Sequence, residues 1–398
     1  MSKETQPRIR ALHLNSLLTG GGTDDQSVRG AHALQRLGHK VEMMGPADGE
    51  YSAVAQKLGL PLQATAPGFL KLRFILAAAR CVRRQGVQIL HAHHGRDYWP
   101  AVLAARLSGV RPKVVLSRHL AKSPGSWLSR RFLLGQCDAI IAVSEFVAKV
   151  LREGDADPGS DNPERHWRPP MRGDLTKIRV VYGGLNLERF VPADATEQRH
   201  AWGLSPRDHA FAVVGAYDLP RGKGQREFLQ AAARIQADAP DARFLIVGRG
   251  NMKEILEADI QQLGLQGRAW LTPYCQDMSA AMNALDCMVH PQVGTESWGA
   301  VVCEAHACGK PVIASDLDGI PEAFAAAGYG QLVKRGSVEE LTAAMKAWAA
   351  RPALDMPARM QLHEKVAAQF SLERAAQNLA ALYESLLAAR PSGKLLPP

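Results

Sequence analysis

The sequence predicts an α/β protein made of two doubly wound, Rossmann-like domains. Three observations lead to that class. Strand-length apolar runs alternate with amphipathic helical stretches, the pattern of right-handed βαβ crossovers and a mostly parallel sheet. The alternation halts at a polar stretch near the middle and then restarts. The 398 residues also exceed one ordinary core, at about 150 residues per domain.

Taken in order, the first half offers strands at 9–14, 41–44, 87–91, 113–117, 139–143 and 178–182, with helical stretches in most of the gaps. The second offers 211–214, 243–247, 269–271, 287–290, 311–314 and 331–333. Between them Val191-Pro-Ala-Asp-Ala-Thr-Glu-Gln-Arg-His200 is polar and Pro-marked, which sets a linker near 187–208 and a cleft beside it. The expected domains are 1–190 and 191–370, followed by a terminal helix at 371–390. Residues 153–177 hold four prolines and three glycines without periodicity and read as a long surface loop, and 391–398 as a frayed tail.

The net charge of +9 is unevenly placed. Residues 66–136 contain 13 Lys or Arg and one acid, Asp97, so this segment carries +12 and the remainder about −3. Within it, 69–84 and 127–134 interleave aromatic and aliphatic residues with cations. That pattern suits an anionic membrane surface, and equally suits amphipathic helices packed on a sheet with solvated Arg faces. No helix-turn-helix, zinc module or RNP-type strand supports nucleic-acid binding. No run is long and apolar enough to span a bilayer, and residues 1–10 lack a signal-peptide core. Cytoplasmic residence is expected, with peripheral attachment to the inner face of the cytoplasmic membrane if the basic segment binds lipid. The six cysteines form no C-x-x-C pair or metal-ligand cluster and read as reduced core residues.

Chemistry-bearing residues fall after predicted strands. Gly20-Gly-Gly22 follows the first, before a helix expected near Asp25, and lets backbone approach a phosphate or sugar. A dinucleotide fingerprint would need an acid closing the second strand, where Met44-Gly45 stands. His91-Ala-His-His94 ends the third, placing His91 and His93 on one side and His94 on the other, and Arg118-His119 closes the fourth. Arg221-Gly-Lys-Gly224 follows the first strand of the second half. Farther on, Glu296 and Glu304 enclose seven residues. A helix is expected over 298–308, stopped by Gly309. Glu296 then sits at its N-terminus, suited to a polar, phosphate-bearing ligand, with Glu304 about two turns on along nearly the same face.

Together with Gly183-Gly-Leu-Asn-Leu-Glu-Arg-Phe190 and Val247-Gly-Arg-Gly250, this ordered set resembles the retaining glycosyltransferases of family four, the E-x7-E group, over roughly residues 8–388. The resemblance implies the GT-B architecture, two Rossmann-like domains facing across a cleft, with the terminal helix crossing back to the first. It implies that the second domain binds a nucleotide-diphosphate sugar and the first an acceptor. It also implies transfer with retention, through an oxocarbenium-like transition state.

The family pattern further implies a role for each matched residue. His93 lies near the transferred sugar. Gly21 and Gly22 approach the donor phosphate and acceptor. Arg221 and Lys223 clamp the pyrophosphate without a metal, and Glu296 lies close to the donor sugar. Glu304 takes the ribose hydroxyls. The helix start at Ser297, Trp298 and Gly299 offers backbone N–H groups to the diphosphate or sugar. Apart from the family pattern, position just after a predicted strand makes Tyr274 either a nucleobase contact or a packed loop aromatic, and Arg118 and His119 could hold an acceptor group. The chain departs from the pattern at Ala216, where an Arg is expected, and Arg221 is the candidate substitute. No metal or other cofactor is expected, and Asp316-Leu-Asp318 is not read as a metal site. The expected partners are a UDP-linked sugar and a glycolipid such as lipopolysaccharide core. The alternatives are a soluble or phosphorylated acceptor, a sugar-nucleotide epimerase, and a non-catalytic nucleotide-sugar-binding protein.

Overall fold

A computed structural model of the chain describes residues 9–65, 71–154, 168–273 and 275–389. Tyr274, most of the 153–177 loop and the 391–398 tail lie outside the described residues. The chain divides into two compact units.

The first unit alternates β1 (Arg10–Leu14), α1 (Gly22–Arg36), β2 (Lys40–Gly45), α2 (Glu50–Lys57), β3 (Leu62–Ala64), α3 (Lys71–Gln85), β4 (Ile89–Ala92), α4 (Tyr98–Leu107), β5 (Lys113–Arg118), α5 (Trp127–Phe132), β6 (Ala139–Ala142), α6 (Glu145–Glu153) and β7 (Ile178–Val180). Its seven strands form one parallel sheet in the order β3-β2-β1-β4-β5-β6-β7. A parallel sheet is covered on both faces, and β4 and β6 are buried along their whole length. One face packs Ile75 and Val82 of α3, Ala101 of α4 and Val147 of α6. Val28 and Leu34 of α1 and Ala55 of α2 fill the other. The sequence reading lacked β3, a three-residue edge strand without a β-branched residue.

In the second unit come α7 (Thr196–Ala201), β8 (His209–Val214), α8 (Gln225–Ile235), β9 (Ala242–Val247), α9 (Lys253–Gln262), β10 (Ala269–Leu271), α10 (Met278–Ala284), β11 (Cys287–His290), α11 (Ala300–Ala307), β12 (Val312–Asp316), α12 (Ile320–Ala325), β13 (Gly330–Lys334), α13 (Val338–Ala349) and α14 (Met356–Phe370). Six parallel strands run β10-β9-β8-β11-β12-β13. Phe211, Phe228 and Phe244 anchor the core, the Phe244 ring centroid lying 6.2 Å from that of Phe211 and 6.0 Å from that of Phe228.

The chain passes from the first unit to the second between Gly184 and Leu185. The segment read as a linker, 187–208, therefore belongs to the second unit. It carries α7, whose Arg199 is 2.9 Å from Asp286, a fastening that composition does not reveal. After α14 the last helix, α15 (Leu372–Ala388), counts with the first unit. Its Ala376, Leu379 and Tyr383 repeat at helical spacing and are buried against the α1 face. Burying a large apolar side chain there contributes about 1.5–3 kcal/mol.

All six cysteines are free, and among the described residues no helix is long and apolar enough to cross a membrane. Part of the basic segment turns outward. Leu72, Arg73, Leu76, Arg80, Arg83 and Arg84 of α3 are exposed, as are Leu103 and Leu107 of the adjoining α4. Trp127 of α5 is 66% exposed.

Candidate functional site

In each sheet the strand order reverses once, at β1/β4 and at β8/β11, and the carboxyl ends of strands at such a point form the ligand-binding crevice of open α/β sheets. In the second unit, the loop from β8 to α8 and the loop from β11 to α11 lie side by side. A Cβ on Gly224 would stand 2.0 Å from the Pro291 carbonyl oxygen. Lys223 comes from the first loop and Glu296 from the second, with Nζ and Oε2 2.8 Å apart. Burial pushes the Glu296 carboxyl up, but the Lys223 ammonium, His290 and the Lys223 hydrogen bond outweigh it and hold the carboxyl below its usual value. His290 is fully buried at the end of β11, its Nε2 3.8 Å from Glu296, and burial pulls its pKa down to about 4. That contact is not an ion pair at neutral pH. Gln225 fastens the β8 loop: its Oε1 accepts from the Lys223 N–H at 2.7 Å and its Nε2 donates to the Ala216 carbonyl at 3.3 Å.

The helices that follow the switch-point strands β1, β8 and β11 share one trait. α1, α8 and α11 start from Gly21, Gly224 and Gly299, all with positive φ and none with a side-chain cap, whereas α6, α13 and α14 are capped by Ser144, Ser337 and Asp355. No side chain then competes for the first-turn N–H groups, which suits an anionic ligand.

In the first unit, His13 on β1 stands in register with His91 on β4, and the ring centroids of His91 and His93 are 4.2 Å apart. His91 Nδ1 lies 2.6 Å from the Tyr383 hydroxyl and Nε2 2.7 Å from Ser117 Oγ. His13 Nε2 is 3.2 Å from the same Tyr383 hydroxyl, and its Nδ1 is 3.0 Å from His93 Nε2. Burial keeps all three imidazoles neutral. Their donor atoms lie within 4.8 Å of one another, as in a metal ligand set, but every ring nitrogen except His93 Nδ1 is already engaged in these bonds. His94 points the other way, to Asp24 Oδ1 at 2.8 Å. Asp24 also accepts from Asn15 Nδ2 and the Gly20 N–H, pinning the glycine loop.

Residues 21–159 match the family model for Glycosyltransferase Family 4, and residues 194–366 match that for glycosyl transferases group 1. A glycosyltransferase from Rickettsia africae ESF-5 superposes with a TM-score of 0.79 at 18% identity, over 96% of this chain and all of that one. The chain belongs to the family-4 GT-B glycosyltransferases. An Anabaena protein solved in complex with UDP and glucose shares the fold, with a TM-score of 0.72 at 19% identity over 95% of this chain and 100% of that one. Among curated relatives, a D-inositol 3-phosphate glycosyltransferase of Mycobacterium sp. (strain KMS) is 28% identical over 62% of this chain and 55% of its own length. A phosphatidyl-myo-inositol mannosyltransferase of Mycolicibacterium smegmatis is 26% identical over 82% and 80%. The match covers only about half the length of the D-inositol 3-phosphate relatives such as the first.

Within this family-4 fold the structure brings Lys223 and Glu296 together and leaves Arg221 half-buried, with no ion-pair or hydrogen-bond partner among the described residues. Gly21 and Gly22 face open space, where an added Cβ would meet nothing within 4 Å. One expectation changes. α11 begins at Ala300, so Glu296 precedes the helix and shares no face with Glu304, which lies inside it. The Glu296 N–H donates to Asp318 Oδ2 at 3.2 Å and its carbonyl accepts from the Gly319 N–H at 3.2 Å, which holds this stretch as a loop. Trp298 is buried edge-on against Phe370, at 5.1 Å, so together with Ser297 and Gly299 it can offer a ligand backbone groups rather than its indole. Arg118 is buried and directs Nε and Nη2 to the carbonyls of Lys122 and Ser123, while His119 lies with its ring 5.8 Å from that of His93. The sequence reading missed His13, Tyr383, Gln225 and His290.

Proposed function

We propose that this chain transfers a sugar, with retention of anomeric configuration, from a nucleotide-diphosphate sugar to a phosphate-bearing glycolipid. The observation that carries the transfer is the Lys223–Glu296 pair at the β8/β11 switch point, with the Arg221 guanidinium on the same loop. Negative charge develops on the leaving diphosphate as the glycosidic bond to it breaks. Two cations and uncapped helix starts stabilise that charge without a metal. Glu304 accepts from the ribose hydroxyls, Glu296 faces the sugar, and His93 contacts a sugar hydroxyl. The fold neighbour solved with UDP and glucose supports a UDP-linked donor.

A phosphate-bearing acceptor is favoured by the relatives named for inositol 3-phosphate and phosphatidyl-myo-inositol, and by the +12 charge of residues 66–136. A lipid anchor rather than a soluble acceptor is favoured by Leu72, Leu76, Trp127 and Leu128, all exposed beside arginines. Lipopolysaccharide core is one such acceptor. The protein would then work at the cytoplasmic face of the membrane.

Thermal unfolding against UDP, GDP, ADP and CMP and their sugar conjugates tests the donor. A ligand at 100 times its Kd adds about 2.7 kcal/mol. Stabilisation by one nucleotide family, followed by transfer of its sugar with the anomeric configuration kept, is the expected result. Stabilisation by none, or an inverted product, overturns the reading.

A further inference from the structure

A hydrogen-bonded chain runs Ser117–His91–Tyr383–His13–His93, and all five members are buried. Each neutral imidazole carries one ring proton and the Tyr383 hydroxyl carries one, so only two arrangements satisfy every link and also give the buried Tyr383 proton an acceptor. In the first, Tyr383 donates to His91 Nδ1, His91 Nε2–H donates to Ser117, His13 Nε2–H donates to Tyr383, and His93 Nε2–H donates to His13. His93 Nδ1 is then a bare lone pair. In the second every bond reverses and His93 Nδ1 carries hydrogen.

The distances favour the first. The 2.6 Å from Tyr383 to His91 falls below the range of about 2.7–3.2 Å for N–H···O bonds and fits a hydroxyl donor, whereas 3.2 Å from His13 to Tyr383 fits a longer N–H···O bond. His93 Nδ1 has no protein partner, and His93 and His119 line a cavity of about 50 Å³.

We infer that Tyr383 is a positioning residue that fixes the ring proton of His93 on Nε2, through His13, and so presents Nδ1 as an acceptor for a sugar hydroxyl. The inference rests on reading His93 as a sugar contact. Direction matters chemically. An accepting Nδ1 draws the hydroxyl proton away and leaves its oxygen more nucleophilic, while a donating Nδ1–H does the reverse. The last helix thereby sets the chemistry of a residue 290 positions earlier in the chain.

The test is ¹⁵N-histidine NMR of the full chain, read together with transfer kinetics. Wild type should show His93 as a single Nε2–H tautomer. Tyr383→Phe should show both tautomers, with kcat lower by roughly tenfold and KM for the nucleotide sugar unchanged. If Tyr383→Phe does not fold, His13→Asn carries the same test, since Asn lacks the second ring nitrogen through which His13 meets Tyr383. An Nδ1–H tautomer in wild type, or an unaltered tautomer in the variants, overturns the inference. Full transfer by Tyr383→Phe despite a mixed tautomer removes the positioning role alone. Full transfer by His93→Ala instead overturns the sugar contact beneath it.

Discussion

The Lys223 ammonium stands 2.8 Å from the Glu296 carboxylate, and the two side chains are 30% and 19% exposed. In the unliganded protein each is the other's counter-ion. A diphosphate arriving on this loop must therefore compete with Glu296 for Lys223. Lys223→Ala should lower kcat by about 10²–10³, the usual cost of removing one oriented donor to a developing anion. Glu296→Gln releases the ammonium and should bind UDP at least as tightly as wild type while turning over more slowly. Isothermal titration of both variants checks this, and equal losses of UDP affinity would sink the competition.

Glycines at the two switch points should respond in opposite ways. Gly224 has φ 85°, and its Cβ would meet the Pro291 carbonyl at 2.0 Å, so Gly224→Ala should cost about 3 kcal/mol or more. Gly22 opens α1 with nothing within 4 Å of an added Cβ, and Gly22→Ala should leave stability within about 0.5 kcal/mol of wild type. Its effect should appear in transfer, because the methyl occupies the space proposed for ligand. Denaturant unfolding beside a transfer assay separates the two, and a destabilised Gly22→Ala would show that the loop is closed rather than open.

These contrasts mark where the sequence was legible. Apolar runs such as Phe211–Val214 and 139–143 declare buried parallel strands, and the strand ends then locate His91, His93, Lys223 and Glu296. That His91 and His93 share a side follows from two-residue periodicity alone. The start of α11 was misread because helical periodicity extends back through Trp298, whereas the left-handed Gly299 and the distant Asp318 decide where the helix begins. Tyr383 could be placed on the buried face of α15 by spacing. Nothing local, however, says that its hydroxyl meets two histidines from strands early in the chain.

Buried neutral histidines make stability fall in acid. His13 is pulled down to about 3, His91 and His93 well below their ordinary value, and His290 and His306 to about 4, each first by burial. Their folded pKa values lie below the unfolded value of 6.5. The unfolded chain therefore binds protons that the folded chain does not. Stability is fully present above pH 6.5 and is lost as pH falls from there toward the folded values, by about 1.4 kcal/mol per pH unit for each group. His119, pulled down to about 3, and His39, also lowered by burial, join the three in the first unit, and His209 joins the two in the second, so the first should unfold at the higher pH. Calorimetry between pH 7 and pH 5 should show its transition moving down first, and a pH-independent midpoint across that range would contradict the burial.

Membrane contact depends on side chains that serve no internal bond. Arg130 is a poor choice for testing it, because its Nη1 donates to the carbonyls of Pro124 and Gly125, both at 2.7 Å. Arg83, Arg84 and Arg131 are exposed, and Trp127 and Leu128 are 66% and 48% exposed. Each arginine near an anionic surface contributes about 1 kcal/mol of attraction, screened by salt within roughly a Debye length. Replacing the three arginines with Gln should lower partition onto phosphatidylglycerol vesicles by about two orders of magnitude or more at low salt, with little change on neutral vesicles. Trp127→Ser and Leu128→Ser should weaken binding to both. UDP-induced stabilisation should be untouched in every case, since the proposed nucleotide site belongs to the second unit. If vesicle partition is the same in all these variants, the exposed apolar and basic side chains are a solvated helix face, and the acceptor is one that needs no membrane.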